Sequence, residues 1–173
     1  MTKWLDNAVF YEIYPQSFND TNADGIGDFQ GIIEKLDYVR ELGCNAIWLN
    51  PCFLSPFADA GYDVEDFYTT APRYGTNEDL KRLFDEAHKR DIRVLLDLVP
   101  GHTSIEHKWF KESAKAEKNK YTNRYVWNNT VWKSIENMPC IRGIFERDGS
   151  CAVNFFSCQP SLNYGFYNVT EPW

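Results

Sequence analysis

Val94-Leu95-Leu96-Asp97-Leu98-Val99-Pro100-Gly101-His102 is an apolar run with a carboxylate inside it and an imidazole just past its end. A short, nearly continuous apolar run reads as a buried strand of a parallel sheet. Placing Asp97 in such a strand costs several kcal/mol unless the carboxylate is paired or hydrogen-bonded. The pair therefore predicts a site at the C-terminal edge of a parallel sheet, where α/β folds place their chemistry. The alternative is a lone aspartate bonded to loop amides and a histidine in a turn.

Working outward, the segments before this run alternate between strand and helix. Val9 to Tyr14 reads as a first strand ended by Pro15, and Asn45 to Leu49 as a second. Between them, Gly31 to Leu42 reads as a helix whose apolar face is Ile32, Ile33, Leu36, Val39 and Leu42, with Gly43 as its stop. Thr76 to Arg90 reads as a second helix. Thr76 and Asp79 have capping-box spacing, with Asp in place of the usual Glu, and Leu80, Leu83, Phe84 and Ala87 form its core stripe. Ile92 to Val99 is the third strand. Strands alternating with helices predict successive right-handed βαβ units on a parallel sheet, an α/β fold. The pattern changes after about His102. Residues 103–173 are rich in Asn, Ser, Lys and aromatics and lack a sustained helical period, with short strands expected at Val126-Trp127, Val131-Trp132, Ile144-Phe145 and Val153-Asn154-Phe155-Phe156. The expected organisation is residues 1–102 as the sheet-and-helix part and 103–173 as an irregular, β-containing domain inserted after the third strand.

The 173 residues suffice for one ordinary domain with a real core. The formal net charge of −7 argues against a nucleic-acid or anionic-membrane partner. The 12 Phe, 10 Tyr and 6 Trp are enough to pack a core or line a sugar-binding cleft. No apolar run is long enough to span a bilayer, and Met1 to Asn7 lacks a signal-peptide core, which predicts a cytoplasmic protein. Cys44, Cys52, Cys140, Cys151 and Cys158 are odd in number and have no Cys-x-x-Cys pair, so free thiols are expected. Asn19-Asp20-Thr21, Asn128-Asn129-Thr130 and Asn168-Val169-Thr170 match glycosylation acceptors by chance in such a compartment.

Three constellations carry chemistry. In Asp20-Thr21-Asn22-Ala23-Asp24-Gly25-Ile26-Gly27-Asp28, side-chain oxygens fall at positions 1, 3, 5 and 9, with glycine at 6 and the Ile26 carbonyl at 7. This is the spacing of a calcium loop, with Asp20, Asn22, Asp24, Ile26 and Asp28 as ligands. Position 12 is Gly31, so it is no EF-hand. The alternative is a turn followed by a helix capped by Asp28. The second constellation, Ser55 to Asp63, puts Asp59 near Tyr62 just after the second strand. A carboxylate beside an aromatic face suits a sugar, but the same residues also describe an ordinary turn with a surface Tyr. The third is Asp97 with His102, where the histidine is a hydroxyl partner or a general base. His102 and His107 are five apart without a His-Glu-x-x-His, which argues against zinc, and no nucleophile-elbow serine is present.

Together these segments resemble glycoside hydrolase family thirteen, the α-amylase family, and within it the oligo-α-glucosidase and transglucosidase branch. Val9 to Phe18 looks like the first barrel strand, Asp20 to Asp28 like the calcium loop of that branch, and Ile47-Trp48-Leu49-Asn50-Pro51 like the second strand. Gly61-Tyr62-Asp63 and Tyr74-Gly75-Thr76 look like the segments that follow. Asp97 to His102 looks like the first signature region, and Gln159-Pro160-Ser161-Leu162-Asn163 like the short signature near the end of the inserted domain. The resemblance implies the N-terminal part of a (β/α)₈ barrel, a TIM barrel, with a domain inserted after its third strand. It implies retaining cleavage or transfer of α-glucosidic bonds in gluco-oligosaccharides, through a nucleophilic carboxylate and an acid/base carboxylate. It also implies that Tyr62 stacks on the sugar, Asp59 and His102 bind its hydroxyls, Asp97 holds the local hydrogen-bond network, and calcium occupies the loop.

The chain departs from the family pattern at Gly101, where the signature has Asn, and at Ser161, where Asp is frequent. No Arg-x-Asp, the context of the family's nucleophile, occurs in the 173 residues. By this resemblance they hold about three of eight βα units, where such barrels take about 250 residues. The third strand then lacks its next neighbour, and the partner that supplies it is the C-terminal part of the same enzyme. The expectation is a segment inactive alone. The rival reading is a non-catalytic sugar-binding remnant of the family.

Overall fold

A computed structural model describes residues 3–135 and 138–165. Asn168-Val169-Thr170 and the closing Glu171-Pro172-Trp173 lie outside the described residues. The strands are β1 (Phe10–Ile13), β2 (Ala46–Leu49), β3 (Phe53–Leu54), β4 (Asp66–Thr70), β5 (Arg93–Leu96), β6 (Trp127–Asn128), β7 (Cys140–Arg142) and β8 (Ser150–Ala152). The α-helices are α1 (Phe29–Glu34), α2 (Leu36–Glu41), α3 (Asn77–His88) and α4 (Lys108–Ser113). Two compact units form, one from the described residues of Met1–Leu54 and Tyr68–Leu98, the other from those of Ser55–Phe67 and Val99–Trp173. The second unit therefore takes in Ser55–Phe67 and opens at Val99 rather than at residue 103.

The first unit is built on a parallel sheet of order β1-β2-β5, with Phe10 opposite Ala46 and Ala46 opposite Arg93. The α/β class and the alternation of strands with helices stand as expected. Ala46, Ile47 and Leu49 of the central strand are fully buried, as are Ile32, Leu36, Val39, Leu83 and Ala87 of the helices. Each such Leu or Ile contributes about 1.5–3 kcal/mol over leaving it in water. α3 opens on the expected capping box: the Thr76 side chain accepts from Asp79 N–H and the Asp79 carboxylate accepts from Thr76 N–H. Arg90 at its far end holds Asp37 of α2 through Nε at 2.7 Å, and that bond draws the Asp37 carboxyl below its ordinary value.

Two expectations are corrected. The helix placed at 31–42 is two helices that begin at Phe29, because Asp28 caps the first by accepting from Gly31 N–H at 2.7 Å, and break at Lys35. Leu42 is off the apolar face, 53% exposed. The stop at Gly43 is a Schellman motif: φ is +86°, Gly43 N–H reaches Arg40 O and Cys44 N–H reaches Val39 O. The strand placed at 92–99 ends at Leu96, leaves Asp97 beyond it, and is not buried on both faces, with Leu95 36% and Leu98 72% exposed. Among the described residues β5 pairs with β2 alone, so one side of an apolar run has no cover.

The second unit carries a small antiparallel sheet of order β6-β8-β7. Its core is Phe110, Ala114, Tyr125, Cys151 and Leu162, with the Phe110 and Trp127 rings stacked 5° from parallel. Val126-Trp127 overlaps β6, but Val131-Trp132 is a turn, Ile144-Phe145 lies in bends, and Val153 forms only a bridge to Pro160. α4 was not expected. Elements of two to six residues are too short to print a period on the sequence. No described helix is long and apolar enough to cross a membrane.

A Cβ at Gly31 would lie 2.0 Å from the Asn19 carbonyl oxygen, a main-chain atom that has no rotamer to yield. Gly31→Ala is expected to destabilise the chain by about 1–3 kcal/mol, read as a lower urea midpoint at unchanged slope.

Candidate functional site

The turn Ser55–Asp63 in the second unit is backbone-strained. Phe57 and Ala60 hold left-handed φ values of 59° and 54°, with Gly61 at 102° between Ala60 and Tyr62. Each non-glycine residue there costs about 1–2 kcal/mol. The compensation is the fully buried Asp63 carboxylate, which accepts from Ser55 Oγ (3.0 Å), Ala58 N–H (3.0 Å) and Asp59 N–H (2.9 Å). Tyr62 N–H closes the turn on Asp59 O at 2.8 Å, and Ser104 N–H ties the following Val64 O at 2.8 Å.

The site residues gather on this turn. Asp59 is half-buried and accepts a hydrogen bond from Nε2 of Gln159, which is itself fully buried and takes Phe156 N–H on Oε1 at 3.2 Å. Tyr62 is half-buried beside it. His102 is 4% exposed, with Nε2 3.1 Å from Tyr62 O and Nδ1 3.0 Å from Asn154 Nδ2. Burial pushes the His102 pKa below its ordinary value, against the opposing pull of the Tyr62 carbonyl and the Asp59 and Asp63 charges. The loop Asn154–Gln159, closed by Asn154 N–H to Gln159 O at 3.1 Å, presents Phe155 and Phe156 to solvent, and Phe155 meets the His102 ring edge-on. A part-exposed carboxylate among aromatic faces can bind hydroxyls while rings stack on C–H groups.

Asp59, Tyr62 and His102 are thus brought together. Both His102 ring nitrogens face protein groups, the Tyr62 carbonyl and the Asn154 amide. Asp97 follows β5 in the first unit, fixed by its main-chain N–H to Leu49 O at 2.9 Å, and its side chain takes no part in the bonds just described. His107 serves elsewhere. Its Nδ1 accepts from Trp109 N–H at 3.0 Å and caps α4, and burial pushes its pKa down to about 4. Asp63, Gln159 and Asn154 are the residues that sequence reasoning missed as site members. The Gln159–Asp59 bond joins residues 100 positions apart, which no local spacing signals.

In the first unit, the loop Asp20–Asp28 turns its oxygens onto main-chain donors. Asp20 accepts from Asn22, Ala23 and Gly25 N–H, Asn22 from Asp24, and Asp24 from Ile26. These bonds, Gly25's foremost, hold the Asp20 pKa below its ordinary value. Asp28 accepts from Thr21 as well as capping α1. No three Asp, Glu, His or Cys side chains converge as a metal cage among the described residues. Asp20 Oδ1 and Asp28 Oδ2 each accept two of these bonds, whereas Asp20 Oδ2, Asn22 Oδ1, Asp24 Oδ1 and Asp28 Oδ1 accept one and keep a lone pair. The donor set is all oxygen, the kind a hard cation such as calcium takes.

Replacing the buried carboxylate tests the turn. Asp63→Asn aims an NH₂ at donors and is expected to cost about 1–3 kcal/mol, with hydrogen-exchange protection lost first at Ala58 and Asp59.

A family model described as the α-amylase catalytic domain matches residues 12–164. The chain is 52% identical over 173 residues to the oligo-1,6-glucosidase of Heyndrickxia coagulans, covering 95% of this chain and 31% of that protein. It is 52% identical over 126 residues to the trehalose-6-phosphate hydrolase of Bacillus subtilis, covering 73% of this chain and 22% of that one. The trehalulose synthase structure from Pseudomonas mesoacidophila MX-45 superposes with a TM-score of 0.87 at 41% identity, over 93% of this chain and 30% of that one. The chain spans about a third or less of the length of these relatives.

Proposed function

Because the chain belongs to the α-amylase catalytic-domain family, we propose that it is the N-terminal portion of an α-glucosidase or transglucosidase acting on α-glucosidic bonds of oligosaccharides. In this reading residues 1–102 open a (β/α)₈ barrel and the rest is a domain inserted after its third strand. The reaction is retaining, and its two reacting carboxylates come from the C-terminal part of the barrel, which also covers the open side of β5. The 173 residues alone release no glucose from maltose, isomaltose or an aryl α-glucoside. Five free cysteines suit a reducing cytoplasm.

The observation that carries the reading is the strained turn that holds Asp59 and Tyr62 on a buried carboxylate. A rigid pair of this kind recognises a sugar without ordering loss on binding. Tyr62 stacks on the sugar ring and Asp59 accepts from its hydroxyls. His102 keeps Tyr62 in place. The test is a chimera in which this chain replaces the matching segment of the Heyndrickxia coagulans oligo-1,6-glucosidase. Activity on isomaltose is expected, with kcat/KM about 10- to 100-fold lower in Asp59→Ala, the loss of a charged hydrogen bond. A folded but inactive chimera, or an Asp59→Ala chimera at full rate, overturns the reading. Sugar binding by the 173 residues with an inactive chimera indicates a non-catalytic binding protein instead.

The proposal includes calcium on Asp20, Asn22, Asp24, Asp28 and the Ile26 carbonyl, where it would brace the loop ahead of α1. Calcium at a hundredfold excess over its Kd is expected to stabilise the chain by about 2.7 kcal/mol against EDTA. The gain should vanish in Asp24→Ala. An equal melting temperature with and without calcium removes the ion from the proposal.

A further inference from the structure

The carbonyl oxygen of Tyr62 can only accept, so the Nε2 that faces it at 3.1 Å carries the proton of His102. In a neutral imidazole the other nitrogen is then bare, and Nδ1 accepts from the Asn154 NH₂ at 3.0 Å. With its NH₂ so committed, Asn154 turns Oδ1 to Ser161, whose hydroxyl donates to it at 2.6 Å. One acceptor-only carbonyl thereby orders the His102, Asn154 and Ser161 side chains into a single direction of donation. The main chain holds the participants in register: His102 and Ser161 form an antiparallel bridge, and Leu162 N–H donates to Gly101 O at 3.0 Å.

Gly101 explains how Asn154 reaches the imidazole. A Cβ at this position would lie 2.8 Å from Asn154 Nδ2. Gly101 is not among the residues with positive φ, so it is the missing side chain, not backbone freedom, that the site uses.

We propose that Asn154, aimed by Ser161 and admitted by Gly101, is the positioning residue that locks His102 as the neutral Nε2–H tautomer and thereby fixes the Tyr62 turn. This extends the sugar-binding reading of Asp59 and Tyr62 and rests on it for its functional meaning. The charged groups that face His102 are Asp59 and Asp63, and both favour a second proton on the ring. Of its other neighbours, the Phe155 ring and Asn154 are neutral, as is Ser161 behind Asn154. Asn154 opposes the proton directly, because an Nδ1–H would meet an NH₂ and leave two donors face to face. The two departures from the family pattern at Gly101 and Ser161 are one device, joined through Asn154.

The test uses the whole 173-residue chain and needs no sugar. Nitrogen-15 NMR of its three histidines, His88, His102 and His107, reads tautomer and titration together. His102 is expected neutral at pH 7 with the proton on Nε2 and a bare Nδ1. Asn154→Asp keeps the shape and exchanges donor for acceptor, and is expected to raise the proton affinity of His102 about tenfold or more. Gly101→Ala should disturb the His102 signals as Asn154→Ala does, and add nothing in the Asn154→Ala background. A proton on Nδ1 in the unaltered chain, or an unchanged His102 titration in Asn154→Asp, overturns the inference. A folded but inactive chimera with the His102 tautomer as expected sinks the functional reading alone, so the two failures are distinguishable.

Discussion

A carboxylate removed from water must be repaid in hydrogen bonds, and Asp63 is repaid by three donors from its own turn. That condition shapes the site. To bring Ala58 and Asp59 N–H onto one carboxylate, the chain bends through left-handed φ at Phe57 and Ala60, where side chains are disfavoured. The bend leaves Asp59 half-buried and Tyr62 on the same short arc. The Tyr62 carbonyl is then aimed at His102, and the proton arrangement of the imidazole follows. Strain of this size persists only where surrounding bonds over-determine it, and here they do.

Much of the first unit was legible because its signals are local. β2 and the helix stripes are set by side chains a few residues apart, and the Thr76–Asp79 cap lies within one turn. The run at Val94–Val99 reads as buried because apolar composition reports suitability for burial, whereas burial itself needs a neighbour on each side. β5 has one among the described residues, and Leu95 and Leu98 stand exposed. The second unit resisted reading for the opposite reason. Its strands are two or three residues long, and its cohesion lies in contacts between distant residues, such as the Phe110–Trp127 stack and the Gln159–Asp59 bond. The three expected sugar-binding residues came from motif resemblance, while Asp63, Gln159 and Asn154 required the folded geometry.

The loop Asp20–Asp28 realises the turn-and-cap reading of its sequence. Asp28 caps α1, as the turn reading has it, and the same carboxylate receives Thr21 N–H and Oγ–H. Asp20, Asn22 and Asp24 each close a turn by accepting the N–H of the second residue ahead. Such bonds hold the acidic side chains against the loop's own main chain and order the loop without a ligand. Gly27 and Gly31 set the loop's position, since a Cβ on either would strike main-chain oxygen at 2.2 and 2.0 Å. The glycines and the acidic residues therefore do different physical work in one stretch of sequence.

Both ring nitrogens of His102 face protein groups, Tyr62 through its carbonyl and Asn154 through its amide. These residues are themselves held, Tyr62 by its N–H on Asp59 O and Asn154 by the Ser161 hydroxyl. Asp59 is the part-exposed carboxylate of the cluster, steadied by Gln159, a buried amide with no exposed surface of its own. Tyr62 is tied to His102 through its carbonyl. The buried groups Asp63, Gln159 and His102 fix the geometry, and the half-buried Asp59 and Tyr62 are the side chains left open to a ligand. In the proposed reading such a site binds with little reorganisation, because its ordering is completed on folding.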